Sequence, residues 1–246
     1  MMKDSELSAV FSQLFVRRVG PILLAPLALT IVLGVMFVVM NQRLKELEIG
    51  TRLVNIERLL LKDKNYPWAI KEYEKLAADR PSAPLLARLG DLYFRSDRAK
   101  AELALATLQR ATSLDARAWE PYQVLTYVYV SIGREADAVR AGKRALELNP
   151  EDANTANNLA WLHATSEKAG LRDLALAEDY AQRAVTLTQG RQAFFVDTLA
   201  EVYFRKGASG HDRARQLMRQ AIAVASRDDV DGFRARYVEM FGNETL

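Results

Sequence analysis

Between Tyr122 and Pro150 the chain reads YQVLTYVYVSIGREADAVRAGKRALELNP. Tyr122, Leu125 and Tyr129 are spaced for one face of a short helix, Ala138 and Ala145 for one face of a second, and Gly133 falls between them as a turn. A helix pair of this kind has no core of its own and must stack on similar neighbours. The pattern recurs. Counterparts of Ala138 are Ala69, Ala104, Ala177 and Ala214, so the five are separated by 35, 34, 39 and 37 residues. A second small residue follows seven positions later as Ala111, Ala145, Ala184 and Ala221, with Leu76 in the first unit. Small side chains belong where helices cross at about 8–10 Å between axes. Leu89 and Tyr93, Leu125 and Tyr129, Leu159 and His163, and Leu199 and Tyr203 fill the space between crossings and form the expected core.

The first fifty residues follow a different pattern. Val19 to Met40 is a run of 22 residues without a charge. As a helix it reaches roughly 33 Å, enough for a hydrocarbon core of about 30 Å. The NQRLKE that follows is not a cleavage site, so the sequence predicts an uncleaved single-pass anchor over 19–42. Pro21 suits a first helical turn, and Pro26 predicts a kink. The tail 1–18 places Leu7, Val10, Phe11, Leu14 and Phe15 on one helical face, suited to an interfacial helix or a plain lead-in to the span. Its Arg17-Arg18 ending predicts a tail held inside and a large domain outside the cytoplasm. Beyond the span, 43–50 reads as a connector with Gly50 as its joint. Leu47, Val54 and Leu61 recur every seven residues, but two intervals fall short of a coiled-coil assignment, and Ile56 and Leu60 fit a helix packing on the array equally well.

Composition and charge narrow the function. Half of the 246 residues are apolar, enough for a substantial core. The 34 basic and 31 acidic residues nearly cancel and are scattered, which argues against nucleic acid. No cysteine is present, so disulfides and thiolate chemistry are excluded. There is no phosphate-binding glycine loop, no paired-histidine metal spacing and no nucleophile with a base, so the chain is not expected to be an enzyme. No cofactor, metal or small-molecule substrate is expected. His163 falls at a core position and His211 in a polar turn.

The repeat resembles the tetratricopeptide family: LGDLY around Gly90 stands as its L-G-x-x-Y, and the endings LNP at Pro150 and DRP at Pro81 match its terminal proline. The resemblance implies an all-α fold, with a right-handed superhelical array of about five helix pairs over 51–226 and a capping helix and tail over 227–246. It further implies that first helices line a groove for protein partners. Positions expected to face that groove are Arg88, Asp91 and Arg95, then Gln123 and Tyr127, then Asn154, Asn158 and Trp161, and finally Asp197, Glu201 and Arg205. The asparagines can instead complete helix-start hydrogen bonds, and Trp161 can instead cover core. Members that clamp a C-terminal carboxylate carry groove lysines where this chain has Ala87 and Gln123, so that subfamily is disfavoured. With its anchor the chain is also similar to membrane-anchored bacterial repeat proteins that hold other proteins during assembly. The expectation is an inner-membrane scaffold or adaptor with its large domain in the periplasm. The alternative is a permanent accessory subunit held in a membrane complex through its transmembrane helix.

Overall fold

The structure, a computed structural model, describes residues 20–242, with side chains described from residue 30 onward. The tail face Leu7–Phe15 and Val19 therefore lie outside the described residues. The chain divides into two compact units, one ending at Lys64 and one beginning at Asn65.

The first unit is a single helix, α1, spanning Gly20–Asp63. It runs through Gly50 without interruption. One glycine costs a helix about 1 kcal/mol, and strong helix formers on both sides of it (RLKELE before, NIERLLLK after) outweigh that, so the predicted joint is absent. Thr51 donates its hydroxyl to the Leu47 carbonyl at 2.9 Å just past the glycine. The helix stops at Lys64, whose φ of 50° is left-handed. Along α1, Ile56 and Leu60 are buried, whereas Leu47, Val54 and Leu61 are 68%, 67% and 80% exposed. The stretch Val19–Met40 falls only partly among the fully described residues, within which no helix is long and apolar enough to cross a membrane.

The second unit opens with α2 (Tyr66–Asp79) and continues as four helix pairs. These are α3 (Ala83–Ser96) with α4 (Ala101–Leu114), α5 (Glu120–Ser131) with α6 (Glu135–Leu148), α7 (Ala153–Thr165) with α8 (Leu174–Leu187), and α9 (Ala193–Arg205) with α10 (Ala208–Val224). A last helix, α11 (Val230–Phe241), packs on α10. The starts are chemically marked. Asn65 accepts from the Trp68 amide at 3.1 Å ahead of Pro67, and Asp152 from the Thr155 amide at 3.1 Å. Asp173 accepts from the amides of Ala175 and Leu176, both at 3.0 Å. Each pair packs internally, its first helix lies beside the first helices of its neighbours, and its second helix rests on the next first helix. The result is one row of first helices, α3, α5, α7 and α9.

The crossing alanines hold this row together. Ala69, Ala104, Ala138, Ala177 and Ala214 are completely buried, and so are Ala111, Ala145, Ala184 and Ala221. At Gly90 the approach is closer still, because a Cβ there would lie 2.8 Å from Cγ of Leu108. Adjacent pairs are also pinned by hydrogen bonds. Tyr93 donates to Glu74 of α2 at 2.8 Å, and the equivalent Tyr203 donates to Glu178 of α8 at 2.5 Å. Burial, then the Glu74 bond, pushes the Tyr93 phenol up to about 12. Hydrogen bonds from Lys206 and Tyr203 hold the Glu178 carboxyl below its ordinary range. The loop between α7 and α8 is fastened back on α6, with Ser166 donating to Glu135 at 3.1 Å and Lys168 reaching the same carboxylate at 3.2 Å. His163 is buried with its Nδ1 2.7 Å from the Leu171 carbonyl, a core position as expected.

Candidate partner-binding groove

One position recurs on the inner side of the row, two residues after the core leucine of each first helix. It carries Asp91 in α3, Tyr127 in α5, Trp161 in α7 and Glu201 in α9. Aromatic rings thus occupy the middle of the row, and acids occupy its ends. Each acid holds an arginine one helical turn on: Arg95 meets Asp91 at 2.7 Å, and Arg205 meets Glu201 at 2.5 Å.

Around α3, α5 and α7 this row opens into a groove of about 790 Å³. Seven of the eleven expected residues line it: Arg88, Asp91, Arg95, Gln123, Tyr127, Asn154 and Asn158. Arg88 closes on the other oxygen of Asp91, so this carboxylate lies between two guanidinium groups. Burial works to lower the Arg95 guanidinium, but Asp91 outweighs it and holds Arg95 above the ordinary arginine range. The Arg95 guanidinium also lies 5.5 Å from the centre of the Tyr127 ring, which meets Phe94 edge-on. Glu120 balances the remaining charge on the lining.

The amides behave differently from one another. Gln123 donates to Asp152 at 3.2 Å, so its N–H group serves the scaffold. The helix-start bond open to the asparagines in the sequence is made by Asp152, whose carboxylate accepts from the Thr155 amide and hydroxyl. Asn154 and Asn158, one turn apart on the groove side of α7, make no side-chain hydrogen bond among the described residues. Together they offer two unused carboxamides, each able to donate and accept.

At the far end the groove is closed. Asp197 and Glu201 are buried, and Arg236 of α11 meets them at 2.6 Å and 2.9 Å. Its guanidinium lies 5.4 Å from the centre of the Trp161 ring. Burial pushes the Asp197 carboxyl above its ordinary range, and Arg236 pulls it back only in part. Asp197 and Glu201 are therefore sealed beneath Arg236, with Trp161 half-buried beside them and Arg205 exposed, and all four are separate from the seven groove residues. Phe194 marks the border, lining the groove while packing edge-on against Phe233 of α11 at 5.1 Å between ring centres.

Sequence reasoning overlooked Asp152, Phe194 and Arg236. The first carried a usable signal, because an aspartate directly before a helix is a capping residue. Arg236 carried none, since it lies beyond the last repeat and has no counterpart in any other unit. Among the described residues no group of three or more His, Cys, Asp or Glu is placed to hold a metal ion.

No family model matches the chain, and no curated protein does either. Solved structures do. A thermophilic TPR protein from Thermus thermophilus is similar with a TM-score of 0.58 and 21% identity, over 78% of this chain and 95% of that one. A tetratricopeptide repeat protein from Parabacteroides merdae gives 0.54 and 17%, over 78% and 73% of the two chains. The MamA protein gives 0.51 and 20%, over 80% and 96%. At these identities the likeness speaks for the fold alone, and the fold of this chain is that of the tetratricopeptide repeat.

Proposed function

We propose that the chain is a non-enzymatic protein-binding scaffold, whose groove along α3, α5 and α7 takes an extended segment of a partner protein. The observation that carries this is the pair of unengaged amides at Asn154 and Asn158, facing a lining that already includes the Tyr127 ring. A bound strand can satisfy such amides through its backbone, while the ring supplies contact area at small entropic cost. The lining charges cancel among Arg88, Arg95, Asp91 and Glu120, which favours a segment of low net charge. We assign residues 19–42 as a single-pass anchor in a bacterial inner membrane, with the repeat domain on its outer side. In support, all ten residues from Ile31 to Met40 are exposed on α1 and none is charged. The scaffold then serves assembly or stability of a membrane or exported complex.

The test is co-purification of the intact protein from membranes in mild detergent, comparing wild type with Asn154→Ala/Asn158→Ala/Tyr127→Ala. The reading expects the partner to be lost while the melting temperature stays close to wild type. If the partner is retained by the triple variant but lost when 19–42 is replaced by an unrelated apolar helix, the chain is an accessory subunit held through its anchor.

A further inference from the structure

The heptad row on α1 becomes longer once the helix is seen to be continuous through Gly50. Leu33, Met40, Leu47, Val54 and Leu61 fall in one seven-residue register along an unbroken helix and are 56%, 54%, 68%, 67% and 80% exposed. Four intervals meet what a coiled coil requires, about 3–4 heptads. Four residues after Leu33 and Met40 stand Phe37 and Leu44, 60% and 56% exposed, and the same series continues with Thr51 and Arg58. These two series form an a/d seam. The buried side chains of α1, Ile56 and Leu60, fall outside it at f and c positions. Two shallow depressions lie along the seam, one bordered by Leu47, Gly50, Thr51 and Val54, the next by Val54, Glu57, Arg58 and Leu61. Each is the four-residue hole that receives a knob from a facing helix.

We infer that this seam is covered by the same helix of a second copy of the chain, in a parallel, in-register coiled coil. Flanking charges select that occupant. In a parallel pair the g position of one helix faces the e position five residues on in the other, which places Arg43 opposite Glu48 and Glu57 opposite Lys62 of the second copy. Both pairings are of opposite charge, and two-fold symmetry makes each of them twice. The dimer brings two repeat domains to one site, so that each groove gains by the proximity of the other when a partner carries two binding segments.

The natural chain has no cysteine, which makes a direct test simple. Full-length chains carrying Leu47→Cys or Val54→Cys in detergent-solubilised membranes should oxidise to disulfide-linked dimers. Lys45→Cys, on the outside of the seam, should remain monomeric on gels. Glu48→Arg should weaken association of the full-length chain by about tenfold in analytical ultracentrifugation, as expected for exposed ion pairs turned repulsive. Adding Arg43→Glu should restore it. Equal cross-linking at Lys45 and Leu47, a monomeric mass, or a seam cysteine that links only to a different protein would each overturn the proposal.

Discussion

The two ends of the row of first helices carry the same device and use it in opposite ways. In α3, Asp91 binds Arg95 one turn on and takes its second guanidinium from Arg88 of the same helix. In α9, Glu201 binds Arg205 in the same manner but takes its second guanidinium from Arg236 of the terminal helix. When the second arginine is local, the surface beyond it stays open. When it comes from α11, the terminal helix occupies the space beside the acid; the two acids are equally buried, each 7% exposed, and what differs is the surface around them. A repeat thus sets which side chains point inward, and the ends of the array decide which of them a partner can reach.

The largest effect should come from breaking the sealed end. Arg236→Met leaves Asp197 and Glu201 with less cationic compensation. It should cost about 2–3 kcal/mol in urea unfolding, below the 3–5 kcal/mol of a fully buried pair because 26% of the Arg236 side chain stays in water. A loss comparable to that of an ordinary surface substitution would mean that α11 does not seal this end. Next are the crossing alanines. If both ends share one packing scheme, Ala104→Leu and Ala214→Leu should be equally costly, each about 1–3 kcal/mol by thermal melting. A clear inequality would show that the terminal pair packs by different rules.

At the open end, Arg88→Met should change stability by less than about 1 kcal/mol, because Asp91 keeps Arg95 and 34% of the Arg88 side chain is already in water. The smallest effect is a matter of sign with pH. Burial raises Asp197 above its ordinary 3.8, so over the window from that value upward the folded chain binds more protons there than the unfolded one. Its contribution to stability therefore falls as pH rises through that window. In Asp197→Asn that component should vanish, and urea midpoints measured through the acid range should diverge from wild type. Parallel curves would contradict the assignment of a buried, raised carboxyl.

The packing was legible in the sequence because it repeats: Ala138 and its counterparts announce every crossing, and Gly133, with its φ of 76°, announces a turn. Groove positions in α3, α5 and α7 were legible for the same reason, since a register fixed by Leu89, Leu125 and Leu159 fixes the residues between them. Arg236 was not, because its partners Asp197 and Glu201 lie 39 and 35 residues away and no period links them to it. Nor was the continuity of α1, where a single glycine was weighed against neighbours whose summed helix preference exceeds its cost. The role of Gln123 was misjudged for a related reason, as its acceptor Asp152 belongs to the next pair and becomes its neighbour only after stacking.

Site-specific photo-cross-linking tests the open and sealed halves against each other most directly. A photoreactive residue at Val124 faces the groove, and one at Trp161, half-buried with the Arg236 guanidinium over its ring, lies at the sealed end. In intact membranes, a discrete adduct to a partner chain should form from Val124 and disappear when Asn154→Ala/Asn158→Ala is added, while Trp161 should give none. An adduct from Trp161 alone, or one from Val124 that survives the double substitution, would contradict the account.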